Sequence, residues 1–384
     1  MLNVAVIGTG AISDSHIDGF LTFPERCRIV ALVDINKDKA QAKIDAHHLS
    51  GAVAVSDALE LLRLANKPDL VSVCLPPSLH CDIAISMLEA GVGVLCEKPL
   101  APTLEECDRM IAAAKKSGAL LSTVAQNRFK PDSVKARALV DSGLMGRQLS
   151  ALVTSLWWRG ENYYNLSWRG RWDTEGGGCT LIHGIHHIDL FLSLMGPVSA
   201  VTAKANNQAH TNSEVEDISM SLVSFESGAV GTVVSSLLHH GEEQRLILDA
   251  EKASIELPLH IYADRQLENG FPEEDKDILS SLQAVAEGVH TQYTGHTAQI
   301  DDVLKALEDH TAPSVTGEDG RRAIEFIAAT YQSAFTGQTV RLPMTAADPF
   351  YTKEGIVAGA PKFYRKTVSV DGFKNDRIQV GGTL

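Results

Sequence analysis

A glycine turn close to the start of the chain constrains the fold more than any other feature. The apolar stretch at 3–8 (NVAVIG) leads directly into the sequence GTGAIS at 8–13. After a strand, Gly8 permits a tight turn, and Gly10 leaves room for a pyrophosphate beside the N-terminus of the following helix. The turn therefore predicts a βαβ unit that binds a dinucleotide. We expect the contacts to come from Gly8, Gly10, Ala11 and Ile12.

An acidic residue in the second strand indicates which dinucleotide is bound. The apolar run at 29–34 (IVALVD) ends in Asp34. A carboxylate at this place accepts hydrogen bonds from the adenosine ribose of NAD and repels the additional phosphate of NADP. We therefore predict NAD as the cofactor, with Asp34 on its ribose.

The first third of the chain alternates apolar strands with amphipathic helices. Strands that are apolar along their whole length, with helices between them, are typical of a parallel sheet covered on both faces. Together with the glycine turn, this pattern predicts a Rossmann α/β domain. The predicted strands are 3–8, 29–34, 53–55, 70–76, 92–97 and 120–125, and a helix is predicted at 103–117.

Two segments follow strands of this sheet at the edge where ligands bind. In parallel α/β sheets, ligands lie beyond the carboxyl ends of the strands. PPSLH at 76–80 follows the fourth strand, and EKP at 97–99 follows the fifth. A lysine held partly desolvated near a cationic nicotinamide has a lowered pKa and can take up a proton, so Lys98 is a candidate catalytic residue. We predict that Pro76, His80, Glu97 and Lys98 border the cofactor.

Three histidines stand close together in GGGCTLIHGIHHID at 176–189. The apolar residues of this segment have the spacing of one buried helical stripe, and we expect His183 and His187 to lie away from it, with His186 at its flank. His183 and His187 have the i, i+4 spacing of zinc ligands, but the chain offers no HExxH motif and no cysteine cluster to complete a site. We therefore predict no metal and interpret the segment as an acid/base face. His183 and His187 are candidates for substrate binding, with a structural or solvent-facing role as the alternative. The predicted stripe comprises Leu181, Ile185, Ile188, Leu192 and Met195.

The segment 155–178 concentrates aromatic and arginine residues. It contains all four tryptophans of the chain. Aromatic rings suit the C–H faces of sugars, and guanidinium groups donate hydrogen bonds to hydroxyls. We predict that Tyr163, Trp168 and Arg169 bind a sugar-like substrate. A packed loop or a subunit contact is the alternative, because the same residue types are enriched there.

The remainder of the chain shows alternating and helical patterns. Alternation of apolar and polar residues indicates antiparallel strands at 218–225, 229–237 and 243–250. Helical periodicity indicates helices at 133–142, 295–309 and 318–336.

Taken together, these motifs resemble the Gfo/Idh/MocA family of oxidoreductases. The resemblance is carried by the glycine turn, Asp34, LPPSLH, EKPL, and GGG followed by GIHHIDL, in family order up to about Pro343. It implies a Rossmann domain followed by an α+β domain with a large, mostly antiparallel open sheet. It also implies that Lys98 and His186 are catalytic and that Arg128 lies near the substrate. The chain departs from the family at Ile182, where many members carry an aspartate or asparagine.

These observations predict an organisation and a function. We expect a Rossmann domain at 1–125, a substrate-binding and oligomerisation domain at 126–345 and a C-terminal tail at 346–384. The predicted function is an NAD-dependent dehydrogenase that oxidises a secondary hydroxyl of a sugar, glycoside or cyclitol. Lys98 and His186 handle the proton, and Lys98 is favoured as its acceptor because position 182 carries no acid. The alternatives are an NAD-dependent glycosidase acting by oxidation and elimination, and a non-enzymatic NAD(H)-binding sensor.

Composition limits the partners and the compartment. A net charge of −14 argues against a nucleic-acid partner, and no uncharged apolar run is long enough for a membrane span. The six cysteines form no CxxC pair, and several stand in apolar runs, as reduced thiols do. No signal-peptide pattern precedes the first strand, so we predict a cytoplasmic enzyme. Since an open sheet exposes one face, we also predict a homo-oligomer, a dimer or tetramer, formed through that sheet.

Overall fold

The computed structural model describes residues 1–373. Their N-terminal part builds a parallel six-stranded sheet, the first sheet, with the strand order β3-β2-β1-β4-β5-β6. From β1 to β3 the strands are added towards one edge of the sheet, and from β4 to β6 they are added towards the other. The carboxyl ends of β1 and β4 therefore border the crevice where Rossmann domains bind ligands. The strands are Leu2–Ile7 (β1), Cys27–Val33 (β2), Val53–Val55 (β3), Leu70–Val73 (β4), Gly93–Cys96 (β5) and Leu121–Thr123 (β6). Its helices are Ser13–Leu21 (α1), Lys37–Ala46 (α2), His80–Glu89 (α3) and Leu104–Ser117 (α4).

The glycine turn after β1 has the predicted geometry. Gly8 has a φ of +97°, and a Cβ placed on it would lie 2.4 Å from the carbonyl oxygen of Cys74, which follows β4. Both the backbone conformation and the lack of space therefore require glycine. Around a Cβ placed on Gly10, by contrast, no atom lies within 4 Å, so this side of the turn is open.

The second sheet has eight strands in the order β13-β12-β11-β7-β10-β9-β8-β16. Only the pair β7 and β10 is parallel among its neighbours in the described residues, which confirms the mostly antiparallel sheet. Its strands are Gln148–Trp158 (β7), Val198–Asn206 (β8), Ile218–Phe225 (β9), Val230–Ser236 (β10), Leu238–Ala250 (β11), Ser254–Leu257 (β12), His260–Tyr262 (β13) and Val340–Arg341 (β16). A separate hairpin pairs Asp264–Gln266 (β14) with Pro272–Glu274 (β15).

Helices cover one face of the second sheet and join the two sheets. Helix α6 packs on β7, and helix α9 packs on β8 and reaches β6 of the first sheet. Helix α8 contributes Ile300, Val303 and Leu304 to the same buried cluster as Val4 and Leu32, so part of the segment 126–345 packs on the first sheet. The helices are Pro131–Asp141 (α5), Ile185–Met195 (α6), Lys276–Glu287 (α7), Gly295–Asp309 (α8), Gly317–Thr336 (α9) and Lys353–Gly359 (α10).

The other face of the second sheet carries exposed apolar side chains. Leu222 on β9 is 63% exposed and lies in register with Thr232 on β10, which pairs in turn with Leu152 on β7. Val230 and Met220 stand on the same face and are more than half exposed. An apolar surface of this kind is typical of a contact with another protein surface.

The segment 361–370 lies against the aromatic segment predicted from the sequence. The backbone N–H of Val370 donates to the carbonyl of Asn165 (2.8 Å), and that of Ser167 donates to the carbonyl of Val370 (2.9 Å). Trp172 donates its ring N–H to the carbonyl of Pro361 (2.9 Å), and Asn212 bonds to the backbone of Val368. Of the predicted tail, 361–370 therefore lies against the second domain, Tyr351 bonds to Glu105 and Asp108 on α4 of the first domain, and 374–384 lie outside the described residues.

Two further findings bear on compartment and membrane. Within residues 1–373, every helix is too short or too polar to cross a bilayer. All six cysteines are free and buried.

Candidate active site

Asp34 lies at the carboxyl end of β2 and is tied to the glycine turn. Its carboxylate accepts hydrogen bonds from the hydroxyl of Thr9 (2.5 Å) and from the backbone N–H groups of Thr9 (3.2 Å) and Asn36 (2.9 Å). Burial raises the pKa of Asp34, but these bonds outweigh it and leave the pKa below its usual value, so the group is ionised. Helix α1, which begins after the turn, has no side-chain cap, and its N-terminal amides therefore suit an anion. With the open side at Gly10, these residues fit a dinucleotide.

Glu97, at the end of β5, forms a buried cluster with two histidines. It accepts a hydrogen bond from His16 on α1 (2.9 Å), whose other ring nitrogen bonds the hydroxyl of Ser72 (2.6 Å). His296 on α8 lies 3.5 Å from the same carboxylate oxygen, and the second oxygen accepts the backbone N–H of Lys98 (3.1 Å). Burial raises the pKa of Glu97, but the histidine hydrogen bonds lower it well below the usual value.

The same three side chains are spaced as metal ligands would be. The ligand atoms of His16, Glu97 and His296 lie within 4.8 Å of one another. Hydrogen bonds account for this proximity, because both oxygens of Glu97 and both ring nitrogens of His16 already have partners. The cluster therefore ties helix α1 to the loop that carries Lys98.

Lys98 extends from the end of β5 to the second domain. Its ammonium donates a hydrogen bond to the carbonyl oxygen of Ile182 across 3.1 Å. Burial lowers the pKa of Lys98, Glu97 raises it, and the nearby cation Arg169 lowers it, with a net lowering from the usual value. The pKa of Lys98 is thus closer than that of a surface lysine to the value that a proton acceptor needs.

The helix that presents the histidines begins with a π-turn. Thr180–Gly184 form this turn, and α6 follows directly. A π-turn interrupts the regular i, i+4 hydrogen bonds and is frequent at functional sites. Gly184 is needed here because a Cβ would lie 2.3 Å from the hydroxyl of Ser235. The turn brings the carbonyl of Ile182 towards Lys98.

His186 faces the same space as Lys98. Both residues line one small cavity of about 10 Å³, which also contacts Thr123 and Asp189 and has room for about one water molecule. Burial and then the charge of Lys98 hold the pKa of His186 well below its usual value, so the imidazole is neutral. Among residues 1–373 the structure gives His186 no hydrogen-bond partner, which leaves its nitrogens available to a ligand.

Of the other two histidines, His187 occupies a different place from that predicted, whereas His183 does not. His187 is 1% exposed and bonds the hydroxyl of Ser155 (2.8 Å), and burial lowers its pKa to about 3. It does not lie away from the buried face, because α6 is packed against both β7 and α9 and is buried on two sides. His183 is only partly buried and stands beside the rings of Trp157 and Tyr163. It is therefore the better placed of the two for substrate binding.

The aromatic segment brings the predicted sugar-binding residues together. The guanidinium of Arg169 lies over the rings of Trp168 and Tyr163, 4.1 and 4.2 Å from their centres. It also donates to Glu175 (2.9 Å), which is 1% exposed, and to the hydroxyl of Tyr163. The ring of Tyr163 lies beside that of His183, with 5.6 Å between their centres, so this cluster adjoins the π-turn before α6.

Arg128 is engaged in ion pairs with residues of two helices. It makes two hydrogen bonds to Asp189 on α6 (both 2.7 Å) and one to Asp319 on α9 (3.1 Å). Both carboxylates are at least nine-tenths buried. Arg128 thus joins the segment after β6 to two helices, including the one that carries His186.

His80 is likewise engaged in the protein interior instead of at the crevice edge. It is fully buried, and its ring nitrogens face the carbonyl oxygens of Pro99 (2.9 Å) and Leu75 (2.8 Å). It offers no nitrogen to a dinucleotide and connects the loop after β4 with the loop after Lys98. Pro76, between these loops, is partly exposed at the carboxyl end of β4, and Ala11 and Ile12 are exposed on the glycine turn.

The site contains further residues that the sequence did not single out as binding residues. Trp157 and Arg159, both within the aromatic segment, border His183, and Arg159 is held by Glu242 (2.8 Å). Their place in that segment was the usable signal. The carbonyl of Ile182 and the buried Glu216 gave no signal, because their roles depend on non-local packing.

Comparison with known families settles the relationship. The model of an oxidoreductase family with an NAD-binding Rossmann fold (Gfo/Idh/MocA) matches residues 2–125, and the model of the Gfo/Idh/MocA C-terminal domain matches residues 133–256. The chain belongs to the Gfo/Idh/MocA family. It is an oxidoreductase, and its first sheet forms the NAD(H)-binding domain.

Relatives within the Gfo/Idh/MocA family align over most of the chain. D-glucoside 3-dehydrogenase of Escherichia coli is 27% identical over 361 residues, which are 89% of this chain and 97% of the relative. Myo-inositol 2-dehydrogenase of Thermotoga maritima is 25% identical over 352 residues, 89% and 98% of the two chains. The crystal structure of the WlbA dehydrogenase of Bordetella pertussis with NADH and UDP-GlcNAcA has a TM-score of 0.77 and 26% identity, covering 90% of this chain and 98% of that one.

Proposed function

We propose that this oxidoreductase is an NAD-dependent dehydrogenase of a sugar, glycoside or cyclitol. The observation that carries the proposal is that Lys98 and His186, from different domains, line one cavity at the carboxyl end of β5. Two relatives are named as dehydrogenases of such substrates, one of D-glucosides and the other of myo-inositol. The reaction is the oxidation of a secondary hydroxyl to a carbonyl.

Lys98 is the proton acceptor in this proposal. Its lowered pKa allows part of the population to be neutral, and the Ile182 carbonyl directs its Nζ atom towards α6. After taking the proton, the ammonium is placed to stabilise the oxygen of the carbonyl product. His186, neutral and without a partner in the described chain, orients the reacting hydroxyl or relays its proton.

The residues around the glycine turn hold the cofactor, which supplies the hydride acceptor when bound. When bound, the pyrophosphate would pass Gly8 and Gly10 and be bordered by Ala11 and Ile12, and Asp34 would accept the ribose hydroxyls. An ionised Asp34 repels the phosphate that distinguishes NADP, so we infer that NAD is preferred. Glu97 supports the nicotinamide end by fixing the backbone of Lys98.

The substrate pocket in this proposal is formed by the aromatic cluster. Arg169 lies over one face each of Trp168 and Tyr163, and these three side chains together line the proposed pocket. His183 adds a ring nitrogen that lacks a partner among residues 1–373. These groups match the alternating apolar and hydroxyl-bearing faces of a sugar ring or cyclitol.

We also infer an assembly and a compartment. The exposed apolar face of the second sheet supports a homo-oligomer, a dimer or tetramer, formed through this face. Six buried free thiols support a reducing compartment, the cytoplasm.

The test is a panel of sugars, glycosides and inositols assayed for reduction of NAD by the absorbance of NADH. We expect NADH to accumulate with at least one substrate, and Lys98→Ala to bind NADH normally but lose turnover. Turnover of a glycoside without accumulation of NADH would instead favour oxidation and elimination. Tight NADH binding with no reaction across the panel, or full turnover by Lys98→Ala, would overturn the proposal.

A further inference from the structure

The run of three glycines passes directly over two buried polar side chains. A Cβ on Gly177 would lie 2.3 Å from the hydroxyl of Tyr331, and a Cβ on Gly178 would lie 1.9 Å from the carbonyl oxygen of Glu216. Any larger residue at either position would displace the backbone or these partners. The lack of side chains on Gly177 and Gly178 therefore allows the main chain to pack directly against Tyr331 and Glu216.

Glu216 accepts hydrogen bonds from the groups that this close approach brings next to it. One carboxylate oxygen accepts the backbone N–H of Gly178 (2.9 Å), and the other accepts the N–H of Thr180 (3.0 Å) and the hydroxyl of Tyr331 (2.9 Å). The backbone carbonyl of Glu216 accepts the N–H of Cys179 (3.2 Å). Glu216 is fully buried, so no water competes for these bonds. Burial raises its pKa to about 7 against the hydrogen bonds that lower it.

These bonds fix the first residues of the π-turn. Thr180 is the first residue of the turn, and the N–H of Ile182 bonds back to the carbonyl of Gly178 (3.0 Å). The carbonyl of Ile182 in turn accepts the hydrogen bond of Lys98. A continuous set of contacts therefore joins Tyr331 and Glu216 to the catalytic lysine.

We propose that Glu216, held by Tyr331, is a positioning residue that sets the place of the Ile182 carbonyl and thereby the orientation of Lys98 for proton transfer. The inference rests on the proposed role of Lys98. Glu216 takes no part in the chemistry itself, since it is buried behind the π-turn.

Two substitutions test the proposal. Glu216→Gln presents one carbonyl oxygen and one NH₂ group, so it cannot accept from Gly178 and Thr180 together. Tyr331→Phe keeps the ring contacts with Trp172 and Phe335 and removes only the hydroxyl. A shift of about 1 Å in a reacting group can lower a rate about 100-fold, and we expect a loss of kcat of this order for Glu216→Gln and a smaller loss for Tyr331→Phe.

A matched control is available at a neighbouring contact of α9. Ser221 on β9 and Thr330 on α9 share a buried hydrogen bond (3.2 Å) that does not involve the glycine segment. Ser221→Ala therefore removes a comparable polar contact and should leave kcat unchanged. NADH affinity should be unchanged in all three variants, because the glycine turn lies elsewhere.

The decisive readout is the pKa of Lys98. It is obtained from the rate of reductive methylation of this lysine as a function of pH, with mass spectrometry to detect the product. We expect Glu216→Gln and Tyr331→Phe to shift this pKa and Ser221→Ala to leave it in place. This measurement needs no substrate, so it tests the positioning role even where no polyol is oxidised and the proposed function has failed. An unchanged Lys98 pKa in Tyr331→Phe, or equal effects of Tyr331→Phe and Ser221→Ala, would overturn the inference.

Discussion

The Nζ atom of Lys98 donates a hydrogen bond to the backbone carbonyl oxygen of Ile182 across 3.1 Å. Lys98 belongs to the dinucleotide domain, and Ile182 belongs to the π-turn before α6. The bond therefore links the two domains at the proposed catalytic site. A main-chain oxygen provides the acceptor for Lys98, while the side chain at position 182 is apolar.

The pH dependence of alcohol oxidation should report the titration of Lys98. The base form is required, so kcat/KM should rise with pH and level off at a pKa below the usual 10.5 of lysine. Since the pKa of His186 is already far below 6.5, His186 should add no step in the neutral range. Lys98→Arg keeps the charge but cannot release a proton, so its residual rate should not vary with pH. A wild-type profile that is flat up to pH 10.5 would contradict this assignment.

Asp34 should determine the choice between NAD and NADP. Asp34→Ala removes the charged acceptor to which the ribose hydroxyls would donate. The loss is about 1.5–3 kcal/mol, so NADH binding should weaken by about tenfold or more. Loss of the negative charge should at the same time improve the use of NADP. Fluorescence titrations with both cofactors measure the change, and Asp38→Ala, an exposed acid on α2, serves as the control. Equal effects of the two substitutions would show that Asp34 does not contact the cofactor.

Arg128 should matter for stability more than for substrate affinity. Arg128→Met leaves Asp189 without its ion-pair partner, whereas Asp319 keeps Arg322 and Thr316, and the loss of one member of a buried ion pair costs about 3 kcal/mol or more. The Arg137–Asp141 pair is about half exposed, so Arg137→Met should cost about 0.5 kcal/mol or less. Urea unfolding compares the two variants. A raised KM with unchanged unfolding for Arg128→Met would restore the substrate contact expected from the sequence.

The exposed face of the second sheet should control the assembly. Leu222→Arg places a charge in the centre of the apolar row, and sedimentation should then show a smaller species than the wild type. Leu59→Arg changes a similarly exposed leucine in the first domain and should leave the mass unchanged. The same sedimentation for both variants would place the interface elsewhere.

Local patterns predicted the Rossmann sheet well, because each strand is apolar along its length and stands between helices. Strand β7 was missed although its residues alternate, since the tryptophans at its end suggested a loop. The single buried stripe predicted for the histidine helix was too narrow, because α6 contacts a sheet and a helix on opposite sides and buries His187. Helical spacing also assumes a regular helix, and the π-turn at Thr180–Gly184 changes which residues face the cleft.

The partners of buried polar groups could not be predicted from neighbouring residues. Arg128 meets Asp319 across 191 positions and Tyr331 meets Glu216 across 115. Such pairs depend on how the two sheets and α9 are placed together. The sequence shows that these residues are present, whereas the folded chain determines which of them meet.

The contact between Trp172 and Pro361 joins positions 189 residues apart. During synthesis, the aromatic segment leaves the ribosome long before the stretch 361–370 that braces it. Until that stretch emerges, Trp172 and its neighbours lack these backbone partners. A nascent chain of this protein can thus complete the support of its aromatic segment only in the last stage of its translation.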